Sequence, residues 1–171
     1  TLRPAAARRR RTTGPLIRLL LLLALALRCD AQWVATVFAG STSTSGHTDG
    51  ALTSAATFSF FNGGGLAFAP NGTLYVADNP SLRVIGPGAT TTSTLTTGSA
   101  FTGVCVDANS GAVYAIDYTA NTLVQLYSNG NKRTIAGPST APSYFSFNAL
   151  ACAVESTGNI IVANTYSYNL V

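Results

Sequence analysis

The chain has 171 residues, which is enough for one domain with a hydrophobic core. Its net charge of +4 originates in the first 31 residues, because the part from Gln32 onward carries three basic and five acidic side chains, a net charge of −2. No basic patch is left outside the N-terminal segment. The composition therefore excludes a nucleic-acid-binding function, and we expect no nucleic acid among the partners.

Residues 1–31 are typical of a targeting segment. Arginines at 8–11 precede an unbroken run of nine Leu and Ala residues at 19–27. This is the build of a secretory signal peptide, and the apolar run is shorter than the roughly 20 residues that a membrane-spanning helix needs. We therefore predict a secreted, extracellular protein. An uncleaved membrane anchor at residues 16–27 and an organelle transit peptide stay open as alternatives, and only an uncleaved leader would make a membrane a partner.

After residue 31 the sequence shows almost no helical periodicity. Short runs rich in Val, Thr, Tyr and Phe alternate with clusters of Gly, Asn, Pro and Ser, which predicts an all-β fold. One pattern of runs occurs three times, and its central run reads Leu-Tyr-Val-Ala-Asp at 74–78, Val-Tyr-Ala-Ile-Asp at 113–117 and Ile-Ile-Val-Ala-Asn at 160–164. The last residues of these runs are 39 and 47 positions apart.

Other runs surround each central run. A turn glycine and an earlier apolar run precede it, a polar corner and a third run follow it, and a further element lies upstream at 37–40, 95–98 and 134–137. A period near 40 residues with about four short strands is typical of a β-propeller blade. We predict that residues 32–171 form a partial propeller of about three four-stranded blades. The repeats span about 34–86, 87–128 and 129–171, and the last is truncated.

At these residues the chain resembles the NHL-repeat family of β-propellers. The first repeat carries the family's motifs at Thr36-Val37-Phe38-Ala39-Gly40, Asp49-Gly50, Phe61-Asn62, Gly65-Leu66-Ala67-Phe68 and Leu74-Tyr75-Val76-Ala77-Asp78. The third repeat keeps Thr134-Ile135-Ala136-Gly137 and Phe147-Asn148. The strand arginine of the family is kept only as Arg83, with Thr122 and Asn169 expected in its place later.

The resemblance implies a fold, an all-β propeller of NHL type, and leaves the activity open, since this fold hosts binding modules and a few enzymes. Members commonly have six blades, and three blades cannot close a ring. The resemblance therefore implies that the remaining propeller blades lie in sequence beyond Val171.

Two sets of residues could carry chemistry. His47-Thr48-Asp49 places a histidine near a carboxylate, as a base or metal ligand requires, or it is simply a loop that matches the family's Asp-Gly turn. Asp78, Asp117 and Asn164 stand at equivalent positions and could form a cation-binding ring, or they cap the corners that follow. A single histidine cannot build a His-rich zinc site. We assign no catalytic, cofactor-binding or metal residues, and the sequence identifies no cofactor.

The two cysteines after the leader are Cys105 and Cys152. In the repeat alignment Cys105 matches Ala153 and Cys152 matches Val104, one position out of phase. We therefore expect the two thiols to point to opposite faces of their strands, which argues against a disulfide. A group of phenylalanines precedes the inner strands and is expected in the core between blades, with a ligand-binding face as the alternative: Phe58, Phe60, Phe61, Phe145 and Phe147.

The sequence supports two hypotheses about function. The first is a secreted, non-enzymatic propeller that presents the loop 41–59 and the linker 138–143 to a protein or glycan ligand. The alternative is a propeller enzyme of the lactonase or peptide-amidating lyase type whose catalytic residues lie largely outside this sequence. Asn71-Gly72-Thr73 is a glycosylation sequon, and it also reads as a hairpin turn.

Overall fold

The computed structural model describes residues 34–60, 64–138, 149–164 and 169–170. The chain divides into two units, Thr1–Thr36 and Val37–Val171, and the described residues of the first unit, 34–36, have no regular secondary structure. The leader at 1–31, the Phe61-Asn62 step, Phe145, Phe147 and residues 139–143 of the linker lie outside the described residues. None of the residues that the structure describes form a helix that could span a lipid bilayer.

The second unit is built from three antiparallel sheets that follow one another along the chain. The first sheet has the strand order β1-β5-β4-β3-β2, the second β6-β7-β8-β9 and the third β10-β11-β12. The strands are β1 Gly50–Ala51, β2 Leu66–Phe68, β3 Leu74–Asp78, β4 Ser81–Ile85, β5 Thr91–Thr97, β6 Phe101–Val106, β7 Val113–Asp117, β8 Thr122–Leu126, β9 Lys132–Ala136, β10 Ala149–Val154, β11 Ile160–Asn164 and β12 Asn169–Leu170.

The first hairpin of every sheet turns at the glycine that the repeat places there. Gly72, Gly111 and Gly158 have φ angles of 84°, 74° and 92°, which lie in the left-handed region that side chains disfavour. The central runs of the three repeats form the second strand of each sheet, β3, β7 and β11, as the pattern predicts.

The sequence repeat and the sheet have different phases. The element at 95–98 begins a sequence repeat, but it belongs to β5, the fourth strand of the first sheet, and the element at 134–137 likewise belongs to β9 of the second sheet. The strand that follows β4 in the first sheet and β8 in the second therefore comes from the start of the following repeat, and in the first sheet the short β1 pairs outside it. The third sheet has three strands among the described residues.

The sheets stack face to face and bury apolar side chains between them. Ala77 and Leu82 of the first sheet pack with Phe101, Val104 and Val124 of the second in one buried cluster. A second cluster joins the second sheet to the third: Ile116, Leu123, Ala149 and Val162. An apolar sheet face must be buried against another element, and here each sheet covers a face of the next.

The innermost strands of consecutive sheets approach one another backbone to backbone. Gly65 N donates a hydrogen bond to Thr102 O at 3.1 Å, across the boundary between the first and second sheets. A Cβ atom on Gly65 would lie 2.7 Å from the Cα of Gly103, and one on Gly103 would lie 2.9 Å from the Cα of Ala151. Strand pairing places these three residues at equivalent positions, so small residues are required where the sheets converge.

Cys105 and Cys152 form a disulfide, with a Cα–Cα distance of 5.7 Å, so the expectation that they would not pair was wrong. The repeat alignment itself was correct, because Cys105 pairs with Tyr114 as Ala153 pairs with Ile161. The error lay in the geometry. Consecutive blades stack, so the residue that faces forward from one sheet meets the residue that faces backward from the next. A one-residue offset therefore brings the two sulfurs together.

Face-to-face stacking of successive antiparallel sheets, with their inner strands converging, is the arrangement of β-propeller blades. The fold is all-β, and the described residues form an incomplete β-propeller.

Candidate functional site at the carboxylate end of the sheets

The second strand of each sheet ends in a polar residue, which is Asp78, Asp117 or Asn164. These residues lie at the same end of the strands, which we call the carboxylate end. Strand pairing places them opposite Ser81, Thr122 and Asn169 of the following strands, respectively. All three side chains are buried. The first hairpin turns lie at the opposite edge of the sheets, which we call the turn end.

In the first sheet, Arg83 forms the centre of a buried ionic network. Its guanidinium group is 0% exposed and lies between two carboxylates, with Nη1 2.9 Å from Asp78 Oδ2 and Nε 2.9 Å from Asp49 Oδ1. It also donates hydrogen bonds to Thr57 O at 3.1 Å and Thr48 O at 2.8 Å. Because burying an unpaired charge is costly, this set of acceptors is what makes the arginine tolerable inside the protein.

The network fixes a long loop onto the first sheet. Asp49, Thr48 and Thr57 all belong to the loop 41–59, and Asp78 Oδ1 accepts a 2.6 Å hydrogen bond from Ser59 N at the end of that loop. Asp49 Oδ2 in turn accepts a hydrogen bond from Thr94 N of β5 at 2.9 Å. The strand arginine therefore anchors both arms of the loop.

His47 pairs with Asp78 rather than with its sequence neighbour Asp49. Its Nδ1 is 3.3 Å from Asp78 Oδ1, and its side chain is 39% exposed. A half-exposed imidazole held by a buried carboxylate can accept or donate a proton at the surface, or bind a polar ligand group. The sequence indicates each of these two residues separately as a candidate, but their pairing cannot be predicted from it because they are 31 positions apart.

Phe58 and Phe60 extend the site to the surface. Arg83 Cζ lies 5.0 Å from the centre of the Phe58 ring, and the rings of Phe58 and Phe60 are parallel within 6° with centroids 5.8 Å apart. Phe58 is half-buried against the first sheet, on the face turned away from the second, whereas Phe60 is 55% exposed. The prediction that these residues form the core between blades is therefore wrong for both rings among the described sheets, because neither lies between two of them and only Phe58 packs against a buried cluster.

The second sheet builds its carboxylate end differently. Asp117 Oδ1 accepts a hydrogen bond from Ala120 N at 3.1 Å, which is the predicted corner cap, and Asp117 Oδ2 is 3.2 Å from Lys132 Nζ. Lys132 also donates to the Ser99 hydroxyl. Burial opposes ionisation of Asp117, but the hydrogen bonds from Ser99, Ala120 and Lys132 and the charge of Lys132 outweigh it and lower the pKa of the carboxyl group.

Strand pairing corrects both expected replacements of the strand arginine. Asn169 pairs with Asn164 as Ser81 pairs with Asp78, so Asn169 does not stand at the arginine position. Arg83 pairs with Val76, and the equivalent pair in the second sheet is Val124 with Ala115, so Val124 rather than Thr122 replaces the strand arginine. The cation that the second sheet uses comes from β9 instead. An alignment of the repeats on Asp78 and Asp117 does not show that a cation from a different strand replaces the arginine.

Two neighbouring clefts lie along the anchored loop. One of about 300 Å³ is lined by Phe58, Phe60 and residues 39–45, and the other, of about 440 Å³, runs between residues 40–44 and 53–57. The Ser41 hydroxyl accepts hydrogen bonds from Ser43 N at 3.2 Å and Thr44 N at 3.1 Å, which shapes the turn between them. Across the described ranges, no group of three or more His, Cys, Asp and Glu side chains is arranged to hold a metal ion.

Comparison with known proteins gives structural neighbours but no family. No protein-family model matches the chain, and no curated protein matches it. A gluconolactonase from Xanthomonas campestris is 18% identical, over 57% of this chain and 33% of its own, with a TM-score of 0.49. A chain of a nidogen/laminin complex is 13% identical, over 63% of this chain and 46% of its own, with a TM-score of 0.47.

A Bacteroides thetaiotaomicron protein of unknown function is 20% identical over 80% of this chain and 36% of its own, with a TM-score of 0.53. At these sequence identities a structural similarity concerns the fold alone. The two TM-scores below 0.5 are too low to support a conclusion. This chain spans between a third and a half of the length of the three chains that it matches.

Proposed function

We propose that this chain is part of a secreted NHL-type propeller that binds a protein or glycan ligand through the loop 41–59, which is anchored to the first sheet. The observation that carries the proposal is the buried network of Arg83, which fixes the loop to the first sheet while the Ser and Thr side chains at 41–45 stay exposed. Apart from the two-residue strand β1, the segment is irregular, and irregular connections this long often carry function.

Rigid anchoring favours binding because the loop then loses little conformational freedom when a ligand docks. The clefts beside the loop combine hydroxyl groups, which can form hydrogen bonds to a polar ligand, with the exposed ring of Phe60, which offers an apolar contact surface. Hydroxyl groups beside an aromatic ring suit a sugar or a polar peptide segment equally well, so both ligand classes belong to the proposal.

Two features support secretion. The leader at 1–31 has the composition of a signal peptide, and Cys105 and Cys152 form a disulfide, which persists in oxidising compartments and is rare in the cytosol. The motifs at 36–40, 49–50 and 65–78 support the NHL type within the propeller class.

The experiment is a binding screen of the full chain against a glycan array and a panel of extracellular protein domains. Thr42→Arg adds a positive charge inside both clefts, and Ser128→Arg adds the same charge at an exposed hydroxyl position in the turn between β8 and β9. We expect at least a tenfold loss of affinity for the identified ligand with the first variant and no loss with the second. Equal binding by both variants would remove the loop from the proposal.

An enzyme of the lactonase or lyase type is a second candidate, favoured by the pairing of His47 with Asp78. In that case His47 would act as a surface base whose ring is oriented by the buried carboxylate. Assays of the full chain on a panel of lactones and esters test this. Turnover that His47→Gln abolishes while the protein stays folded would replace the binding function by an enzymatic one.

A further inference from the structure

The sequon Asn71-Gly72-Thr73 forms the turn between β2 and β3. Asn71 is exposed, and its Oδ1 accepts a hydrogen bond from Thr73 N at 3.0 Å. The turn therefore uses the amide oxygen of Asn71 and not the amide nitrogen, which is the atom that carries an N-linked glycan. Asn71 is the only asparagine of the sequence in an Asn-X-Ser/Thr context without proline at X.

Turn chemistry explains Asn71 and Gly72 but not Thr73. In the second sheet Asp107 Oδ1 accepts a hydrogen bond from Asn109 N, and in the third Glu155 Oε1 accepts one from the Asn159 side chain, while Gly111 and Gly158 supply the positive φ. The position equivalent to Thr73, directly after that glycine, is Ala112 in the second sheet and Asn159 in the third. The Ala112 turn, which closes through Asp107 N and Ala112 O, shows that the hairpin does not require a hydroxyl group at this position.

The surroundings of Asn71 can accommodate a large substituent. The neighbouring residues Pro70, Gly72 and Pro87 are exposed. The site also lies at the turn end: β3 runs from Leu74 to Asp78, so at roughly 3.3 Å per residue about 13 Å of strand separate this turn from the carboxylate end.

We propose that Asn71 is an N-glycosylation site, and the proposal rests on the secretion proposed above. In the transfer, Asn71 Nδ2 forms a bond to the anomeric carbon of an oligosaccharide, and the bond from that carbon to a lipid-linked diphosphate donor breaks. The lipid diphosphate leaves and the amide nitrogen loses one proton. Thr73 is only 8% exposed in the folded hairpin, so the transfer takes place on the emerging chain before the hairpin closes.

The test is expression of the full chain in secretory eukaryotic cells, once with its own leader and once behind an added signal peptide of known activity. Digestion with a peptide-N-glycosidase should lower the apparent mass by a single step. Thr73→Ala should abolish that step, and Thr73→Ser should keep it. The hairpin should still form in Thr73→Ala, because the second sheet forms the same turn with Ala112 at this position. Asn71→Gln removes the acceptor asparagine itself and should also abolish the step.

The outcomes separate the two proposals. A protein that is secreted from the added signal peptide without a glycosidase-sensitive step overturns the glycosylation site, whatever the native leader does. A glycosylated product from the added signal peptide, together with retention of the chain that carries only its own leader, confirms the site and overturns the proposed secretion. A mass step that persists in Thr73→Ala and Asn71→Gln also overturns the site.

Discussion

Among single residues, we expect replacement of Arg83 to lower the free energy of unfolding the most. It is 0% exposed, as is Asp78, and its guanidinium group is the cation that compensates the buried carboxylate. Replacing one partner of a buried ion pair leaves an uncompensated charge, so we expect Arg83→Met to lower the free energy of unfolding by about 3–5 kcal/mol. Urea denaturation measures the change.

A matched control is available for Arg83. Arg133→Met removes an exposed arginine from β9 and should change the free energy of unfolding by less than about 0.5 kcal/mol. Adding Asp78→Asn to Arg83→Met should recover part of the loss, because the second substitution removes the orphaned charge. Additive losses in the double variant would contradict this account of the network.

Asp117 should make stability depend on pH at the acidic end. Its pKa in the folded protein lies below the ordinary value of 3.8, so folding is favoured by the ionised group. This contribution is fully present above the unfolded-state pKa and is lost as the pH falls through the lower folded-state pKa. Asp117→Asn should therefore lower Tm at pH 7, and the difference from the wild type should shrink below pH 4. A gap in Tm that stays constant from pH 7 to pH 2.5 would show that ionisation of Asp117 is irrelevant to it.

At the scale of the strands, the closest constraint is the convergence of β2, β6 and β10. A Cβ atom on Gly103 would lie 2.6 Å from Leu150 O and 2.9 Å from Ala151 Cα, both backbone atoms that cannot swing aside. Gly103→Ala should therefore push the second and third sheets apart, at a cost of about 1–3 kcal/mol in the free energy of unfolding.

Gly86→Ala is the corresponding control for Gly103. The nearest atom to its added Cβ would be the Ala89 Cβ at 3.9 Å, an ordinary contact. Thermal unfolding of both variants measures the difference. An unchanged Tm for Gly103→Ala would mean that the inner strands have room to separate.

The strands themselves could be predicted from the sequence, and their mutual arrangement only in part. The central runs and the turn glycines depend on local propensity and on the repeat, and the structure confirms them at β3, β7 and β11. The partnership of His47 with Asp78 depends on the path of the loop across the sheet, which no local pattern encodes. The same holds for Lys132, which replaces the strand arginine from a different strand.

At the scale of the whole molecule, the stack of sheets is held by apolar surfaces and one covalent bond. The disulfide joins β6 to β10, so it links two consecutive sheets through their innermost strands. Side chains alternate within β6 and β10 as the sequence predicts, and the bridge forms because the two strands belong to sheets that face each other with opposite faces. Between two stacked sheets, the one-residue offset of Cys105 and Cys152 in the repeat alignment makes their side chains point toward each other.

The disulfide should contribute measurably to stability. Its cysteines are 47 residues apart, and closing a loop of that length in the unfolded chain corresponds to about 4 kcal/mol at 25 °C in the chain-entropy account. Cys105→Ala combined with Cys152→Ala should therefore lower the free energy of unfolding by about 2–4 kcal/mol, measured by urea denaturation. The reduced wild-type protein should unfold at a urea concentration similar to that of this double variant. If reduction leaves the midpoint of the wild type unchanged while thiol titration shows both cysteines free, the bond does not hold the two sheets together, and their stability must come from the apolar clusters alone.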